Sequence, residues 1–263
     1  MKEQSIRYLV SHGRLLLRVV RNELAARYAA SLLGLGWAAL APLLILGIYA
    51  LIYVEIFKVR VPGLEPVNYA LFIFSGLVPY LATAEAVAVG VSSVVADKAL
   101  LSNTVFPIDL VPVKPVLNSQ VTMAVGLTVI IIGLAATRSL HWTVVLVPLV
   151  WIGHAAALIG LNWVLSLLNI VVRDLQNLIT AILMMLLVAS PIAYTPEMVP
   201  PVLKPLITVN PFAYYVVSYQ NLLVFGRLPS PFDVFMLVII SGGLLLIGSW
   251  FFPRAKRVLL DYI

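Results

Sequence analysis

Six long runs with almost no charged side chains constrain the fold of this chain more than any other feature. A helix needs about 20 predominantly apolar residues to cross the hydrocarbon core of a bilayer. Only 11% of the 263 residues are charged and 62% are hydrophobic, whereas roughly a quarter of an ordinary soluble domain is charged. We therefore predict an all-α integral membrane protein with a single domain over residues 1–263. The six predicted transmembrane helices cover residues 35–54, 69–96, 115–137, 142–172, 175–196 and 234–253.

The distribution of basic residues predicts the orientation of these helices. With six spans, twelve of the seventeen Lys and Arg residues fall on the side that carries both termini, and five fall on the other side. Because loops rich in Lys and Arg stay in the cytoplasm, we expect both termini there. The same topology accounts for the net charge of +6 without a nucleic-acid partner.

The first 33 residues predict a basic amphipathic helix. Apolar residues recur at a spacing of three and four, as on one face of a helix. Arg7, Arg14, Arg18 and Arg21 share a different face. Such a helix lies in the membrane interface. It serves either as an anchor to anionic lipid or as a structural collar against a partner domain.

A proline-rich stretch separates the fifth and sixth predicted spans. Seven prolines lie between positions 196 and 231, and the apolar part, residues 211–226, is only 16 residues long. That length is short for a span, and a seventh span would place the basic C-terminal tail outside. We therefore predict that residues 197–231 form outer re-entrant or interfacial helices buried against protein.

The sequence contains no motif for hydrolysis or metal binding. There is no Gly-rich phosphate loop of the Walker type and no HExxH or other zinc spacing. The absence of Cys removes thiolate ligands and nucleophiles. We expect no catalytic residue, no metal site and no cofactor bound by this chain.

Four polar residues within the predicted spans have two interpretations each. An ionisable residue at membrane depth is a functional candidate, but for His154 we expect a neutral ring bonded to a neighbouring helix. Glu85 is either a hydrogen-bonded structural group or part of a proton relay or polar cavity. Asn162 and Asn169, seven residues apart on one helix face, either line a conduit or join helices.

The predicted cytoplasmic loop 97–115 suggests a docking surface. Its three prolines prevent one continuous helix, and apolar residues remain between them. Exposed apolar groups in such a loop favour contact with another protein, unless the loop packs on its own membrane domain. The Arg173–Asp174 pair in the next cytoplasmic turn is either a local salt bridge or a second such contact.

Several short motifs occur in order along nearly the whole chain. They are RYAASLLGLGW at 27–37 followed by Pro42, FSGLVPY at 74–80, FP at 106–107, LVP at 110–112, RDL at 173–175, SPIAY at 190–194 and NP at 210–211. Each is weak alone, but together they resemble the permeases of type-2 ATP-binding-cassette exporters, especially those for O-antigen polysaccharide and teichoic acid. The span-two motif FSGLVPY usually ends in Trp in the family, where this chain has Tyr80.

This resemblance implies a complex of several protein chains. The permease is a homodimer that binds two copies of a separate ATPase subunit, which carries ATP and Mg²⁺. Residues 97–118 are expected to form the gate and coupling helices, with the N-terminal helix beside them. The predicted contacts with the ATPase are Asp97, Lys98, Leu101, Asn103, Phe106, Pro107, Arg173 and Asp174. The predicted interface-helix residues are Arg14, Arg18, Arg21 and Arg27.

Aromatic residues near the outer ends of the first two spans have two interpretations. Flat ring faces allow sugar C–H faces to slide past without fixed hydrogen bonds, which suits a moving polymer. Rings at this depth also form the aromatic belt at the lipid interface. The predicted residues of the substrate channel are Tyr49, Tyr53, Phe57, Tyr69, Phe72, Phe74 and Glu85.

The sequence thus leads to one main functional hypothesis and three alternatives, the last of which is a membrane-embedded structural subunit whose deletion would cause no transport defect. The main hypothesis is ATP-driven export of a lipid-linked polysaccharide through a channel between two permease subunits in the bacterial inner membrane. The first alternative is a type-2 exporter permease for drugs or lipids. The second is a proton-coupled secondary carrier, which would need Glu85 or His154 in a relay.

Overall fold

The computed structural model describes residues 4–28, 31–56, 61, 64–98 and 106–259, and every regular element among them is helical. Short 3₁₀ or π turns extend several of the helices. The α-helices are α1 (Gln4–Ser11), α2 (Gly13–Tyr28), α3 (Trp37–Ala50), α4 (Pro66–Gly90), α5 (Ser93–Ala96), α6 (Val113–Ala136), α7 (Val147–Val171), α8 (Leu175–Ala189), α9 (Lys204–Val209), α10 (Pro211–Gln220) and α11 (Pro231–Leu259).

Helix α4 lies at the centre of the bundle. It packs against α3, α6, α7, α8 and α10. Its residues Phe72, Ile73 and Leu77 are completely buried. Among the helices long and apolar enough to cross a membrane, α4 is the most buried and α11 the least. The outward apolar surface of α11 therefore needs hydrocarbon or another protein to cover it.

Two helix pairs pack at very short range because glycines face the partner helix. On α7, a Cβ atom at Gly160 would lie 2.2 Å from the carbonyl oxygen of Leu244 in α11, and on α11 a Cβ at Gly248 would lie 2.3 Å from the carbonyl oxygen of Gly160. Such small residues let helix backbones approach each other in membrane proteins. On α6, Gly126 provides room for the side chain of Val78 in α4.

The described residues contain four helices of spanning length rather than the six predicted. These are Pro66–Gly90, Ile108–Ala136, Trp142–Val171 and Pro231–Arg257. The apolar helices Leu40–Ile56 and Leu175–Ala189 are shorter, about 26 and 22 Å at 1.5 Å per residue against a hydrocarbon core of about 30 Å. The structure supports a multi-pass membrane protein, and six spans stay a prediction.

The structure changes several predicted boundaries. The second predicted span, 69–96, breaks after Gly90, and α5 follows as a separate short helix. The fifth, 175–196, ends at Ala189 because Ser190 adopts an extended backbone conformation. The N-terminal stretch is divided at His12 into α1 and α2 instead of forming one helix.

The proline-rich stretch folds into short helices at one end of the bundle. It contains α9, α10 and a π turn, Asn221–Phe225, together with two 3₁₀ turns. Most of α10 is buried against α4, α7 and α11. Residues 197–231 therefore pack on protein, while their re-entrant position relative to a bilayer stays a prediction.

Candidate functional site

A buried ion cluster joins three elements at the end of the bundle that carries α2. Lys114 lies in the first turn of α6, and its side chain is only 4% exposed. Its Nζ atom lies 2.5 Å from Oε1 of Glu23 in α2 and 2.6 Å from Oδ2 of Asp97, which directly follows α5. We call Glu23, Asp97 and Lys114 the ion triad.

The ion triad holds an ammonium group away from water between two carboxylates. A buried charge is tolerated only when it is paired and hydrogen-bonded. The Asn118 amide adds a hydrogen bond of 3.3 Å to Oε2 of Glu23. Because the three charges belong to α2, α6 and the residue after α5, a displacement of α2 or of the Asp97 segment must break a pair or carry α6 with it.

A second ionic contact lies at the same end of the bundle. Lys256, near the end of α11, binds Oδ2 of Asp109 with its Nζ atom at 2.5 Å. The indole of Trp163 in α7 donates to the backbone carbonyl of Asp109 at 2.9 Å. The 3₁₀ turn Ile108–Leu110, which contains Asp109, is therefore fastened to both α7 and α11.

The side chain of Asn162 links the same region to the break between α4 and α5. Its side-chain amide donates to the carbonyl oxygens of Ala86 at 3.0 Å and Pro112 at 3.3 Å. A Cβ atom at Gly90 would lie 2.1 Å from the Asn162 side chain, so the chain passes this amide closely. Of the two interpretations of Asn162, the structure favours a residue that joins helices.

The predicted coupling residues occupy different positions at this end. Asp97 belongs to the ion triad, Lys98 is exposed, and Phe106 and Pro107 are half-buried. The Phe106 ring lies 6.0 Å from Nζ of Lys114. Arg173 and Asp174 are exposed in the turn between α7 and α8. Leu101 and Asn103 lie outside the described residues.

The predicted interface-helix arginines do not take part in the ion triad. Arg14, Arg18 and Arg21 are exposed on α2, while Leu16 and Val20 on its opposite side are buried. The side chain of Arg27 lies outside the described part of the chain. Sequence reasoning missed Glu23 as a site residue, although it is the only acidic residue in α1 and α2.

The predicted channel aromatics separate into two groups. Tyr49 and Tyr53 on α3 and its π extension stack with ring centroids 6.1 Å apart and remain half-exposed. Tyr69 and Phe72 also stack at 6.1 Å, but both are buried in the protein core. Phe74 is half-buried, and Phe57 lies outside the described residues.

Glu85 and His154, which were predicted to lie at membrane depth, have hydrogen-bond partners on neighbouring helices. Glu85 accepts a hydrogen bond of 2.7 Å from the hydroxyl of Thr122 in α6. The Nε2 atom of His154 lies 2.8 Å from Oγ1 of Thr83. Since the single hydroxyl hydrogen of Thr83 is directed to the Pro79 carbonyl, His154 is the donor to Thr83.

The imidazole of His154 also stacks on the ring of Tyr215, with the centroids 4.3 Å apart. Its side chain is buried. This environment agrees with the expected neutral ring bonded to a neighbouring helix. Among the described residues, no group of three or more His, Asp or Glu side chains is arranged to hold a metal ion.

Comparison with known proteins extends these observations over most of the chain. The family model described as ABC-2 type transporter matches residues 14–224, a stretch that includes the whole ion triad. This match confirms the resemblance that the motifs indicated.

Individual relatives cover even more of the sequence. An O-antigen export system permease protein RfbA from Klebsiella pneumoniae is 30% identical over 217 residues, which cover 81% of this chain and 82% of the relative. A protein of the same name from Myxococcus xanthus is 28% identical over 255 residues, or 96% of each chain. A second one from Klebsiella pneumoniae is 28% identical over 248 residues, or 92% of each.

Proposed function

This chain belongs to the ABC-2 type transporter family, and from that premise we propose that it is the membrane subunit of an ATP-driven polysaccharide exporter. The substrate is a lipid-linked polysaccharide, of the O-antigen or teichoic acid kind, moved across the bacterial inner membrane. The observation that carries this proposal is the similarity over 81–96% of the chain to three proteins named as O-antigen export permeases.

The proposed topology has six membrane segments and both termini in the cytoplasm. The four long helices and the shorter apolar helices Leu40–Ile56 and Leu175–Ala189 supply the six. A short segment is accommodated by local thinning of the bilayer or by association with other helices. The twelve basic residues on the side of the termini support this orientation.

The proposed conduit lies between two copies of the chain. The interior of one protomer is filled by large side chains, among them Phe72, Trp163 and Tyr215, each less than 2% exposed. A polymer has no room there, whereas Tyr49 and Tyr53 retain exposed ring surface. The apolar surface of α8, whose only buried residue is Leu183, also remains for contact with lipid or the second copy.

In this proposal, the energy for transport comes from a separate ATPase that docks at the end of the helix bundle that carries the ion triad. There the segment 97–107 and the turn at Arg173 and Asp174 contact the ATPase, beside the arginines of α2. The ion triad then transmits a movement of the Asp97 segment to α2 and α6, because Lys114 is shared by both carboxylates. ATP and Mg²⁺ belong to the ATPase.

Reconstitution tests this function directly. Proteoliposomes containing the chain and its Walker-motif partner should move lipid-linked polysaccharide across the bilayer only with ATP and Mg²⁺. A Walker-motif variant of the partner is the control and should give no transport. Transport by the chain alone without ATP, or transport of small amphiphiles but not of polysaccharide, would overturn the proposal.

A further inference from the structure

A cavity of about 680 Å³ opens at the end of the bundle opposite the ion triad. Phe232 lines it near the start of α11, whereas Lys256 lies at the other end of the same helix, about 36 Å away at 1.5 Å per residue. Its walls come from the 3₁₀ turn Pro196–Met198 and from α9, α10, the π turn after α10 and the start of α11. The volume falls within the range of about 300–1,000 Å³ typical of small-molecule sites.

Three aromatic rings line this outer cavity. Tyr214 and Phe232 meet edge to face with centroids 6.2 Å apart, and Phe232 is 57% exposed. Phe225 lines the wall formed by the π turn. The Tyr214 hydroxyl donates to the carbonyl of Thr208 at 2.9 Å, which fixes its ring. Burial and then the charge of Asp233 raise the pKa of Tyr214 above its ordinary value.

Charged and amide side chains of both hydrogen-bonding kinds lie beside these rings. Glu197 supplies a carboxylate, Arg227 supplies guanidinium donors and Asn221 supplies an amide. Asp233 and Gln220 offer less, because Oδ2 of Asp233 already accepts from Ser230 and the NH2 group of Gln220 already donates to backbone carbonyls. The Arg227 guanidinium lies 4.6 Å from the centroid of the Phe225 ring. Within the described part of the chain, no ion pair occupies Arg227 or Glu197.

The geometry around Arg227 is held by the preceding glycine. Gly226 has a φ of +64°, and a Cβ atom there would lie 2.5 Å from the ring of His141. Only glycine combines this backbone conformation with such close packing. The turn therefore presents Phe225 and Arg227 to the cavity in a fixed arrangement.

The mixture of groups identifies the class of ligand. A hydroxyl group both donates and accepts hydrogen bonds, so carboxylates, guanidinium and amides together suit a polyol. Aromatic faces pack against the apolar C–H faces of sugar rings. The charged lining disfavours an apolar ligand, and two carboxylates against one Arg favour a sugar of the O-antigen kind over a polyanionic teichoic acid.

We propose that this outer cavity is a saccharide subsite that holds a few sugar units of the exported polymer as they leave the conduit. The inference rests on the proposed export function for the source of the sugar. Gln220, buried and bonded to the carbonyl oxygens of Pro191 and Ile192, forms the floor, while Glu197 and Arg227 bind hydroxyl groups at the rim.

Protection of a single cysteine from labelling tests the subsite, because the chain has no Cys of its own. Thr208→Cys places a thiol in the cavity wall, and Val202→Cys, 86% exposed and outside the lining, is the control. The probe is a repeat-unit oligosaccharide released by acid from the host's own surface polysaccharide. At about three times Kd it should slow maleimide labelling of Thr208→Cys about fourfold and leave Val202→Cys unchanged.

A matched pair of charge variants adds a second measurement on the Thr208→Cys background. Arg227→Ala should raise the half-protecting oligosaccharide concentration about tenfold, the equivalent of about 1.4 kcal/mol. Arg257→Ala removes the same charge from an exposed residue at the other end of α11 and should change it less than about twofold. Equal labelling rates with and without oligosaccharide, or equal effects of the two charge variants, would overturn the subsite.

Two further outcomes separate the subsite from its alternatives. If Thr208→Cys resists labelling without oligosaccharide and reacts once copies are separated in detergent, a second copy covers the cavity and the proposal fails. Export is measured separately, as surface polysaccharide in a deletion strain that carries the wild-type chain. If the deletion strain displays as much surface polysaccharide without the wild-type chain as with it, the proposed function is contradicted. If export requires the chain but the oligosaccharide does not protect Thr208→Cys, only the subsite is contradicted.

Discussion

The ammonium nitrogen of Lys114 lies 2.6 Å from a carboxylate oxygen of Asp97, so that the start of the predicted coupling region is fastened to the start of α6. The same ammonium binds Glu23 in α2. Movement at Asp97 is therefore coupled to two helices at once. The two ion pairs therefore link Asp97, at the end of α5, both to α6 and to α2.

Replacing Lys114 by Met should lower stability. The change removes the counter-charge shared by two carboxylates that are 39% and 28% exposed, so water screens part of the loss and the cost stays below the about 3–5 kcal/mol of a fully buried pair. The thermal unfolding midpoint of the purified protein in detergent measures the effect. Lys98→Met, which removes an exposed charge one residue after Asp97, is the control and should leave the midpoint unchanged. Equal midpoints for both variants would show that the ion triad does not stabilise the protein.

Replacing Lys256 by Met should destabilise the protein, whereas the same change at Arg257 should not. Lys256 pairs with Asp109, whose side chain is only 3% exposed, while Arg257 is exposed. The change takes one charged partner away from this buried carboxylate, which costs up to about 3–5 kcal/mol. Limited proteolysis near α11 and the unfolding midpoint report the difference. A larger effect at Arg257 would contradict the assigned pair.

Replacing Gly160 by Ala should disrupt the contact between α7 and α11. The new Cβ would lie 2.2 Å from a backbone oxygen of Leu244, which has no freedom to rotate away, and overpacking costs about 1–3 kcal/mol or more. At Gly242, also in α11, a Cβ meets nothing within 4 Å. Gly242→Ala should therefore be neutral or stabilising, since Ala exceeds Gly in helix propensity by about 1 kcal/mol. Gly160→Ala should therefore lower the unfolding midpoint, whereas Gly242→Ala should leave it unchanged or raise it.

Alanine substitutions separate the channel role of the aromatics from a core role. Phe72→Ala should lower stability by about 3–5 kcal/mol because the ring is fully buried. Tyr49→Ala and Tyr53→Ala remove half-exposed rings and should slow export with little change in the unfolding midpoint. Export in cells and unfolding of purified protein are measured in parallel. Normal export by both tyrosine variants would show that these rings have no role in the conduit.

Neutral replacement of Glu85 and His154 together should leave ATP-driven export intact. Glu85 accepts from Thr122, and His154 contacts Thr83 and Tyr215, arrangements that hold helices together. The variant Glu85→Gln with His154→Gln keeps hydrogen-bonding capacity without either titratable group. ATP-dependent transport in proteoliposomes should stay within about twofold of wild type, a change below 0.5 kcal/mol. Complete loss of transport in a folded variant would favour the proton-coupled carrier.

The sequence was most informative where a property depends on neighbouring residues. Long uncharged runs predicted the membrane helices, and short motifs predicted the family that the match over residues 14–224 confirms. The break after Gly90 was harder to predict, because it lies against the side chain of Asn162 in another helix. The extended Ser190, in contrast, directly precedes Pro191, and this end was available from the sequence because proline disfavours a helical conformation in the residue before it. The predicted channel list also combined rings of different exposure, since Phe72 is fully buried in the core whereas Tyr49 packs against the edge of that core and stays half-exposed.

The sequence by itself determined that this chain is a helical membrane protein and which permeases it resembles, because hydropathy and short motifs are local properties. Only the tertiary structure decided which charges meet. Lys114 and Glu23 are 91 positions apart, and Lys256 and Asp109 are 147 apart. A buried charge needs a partner within a few ångströms, and helix packing alone selects that partner from the rest of the chain.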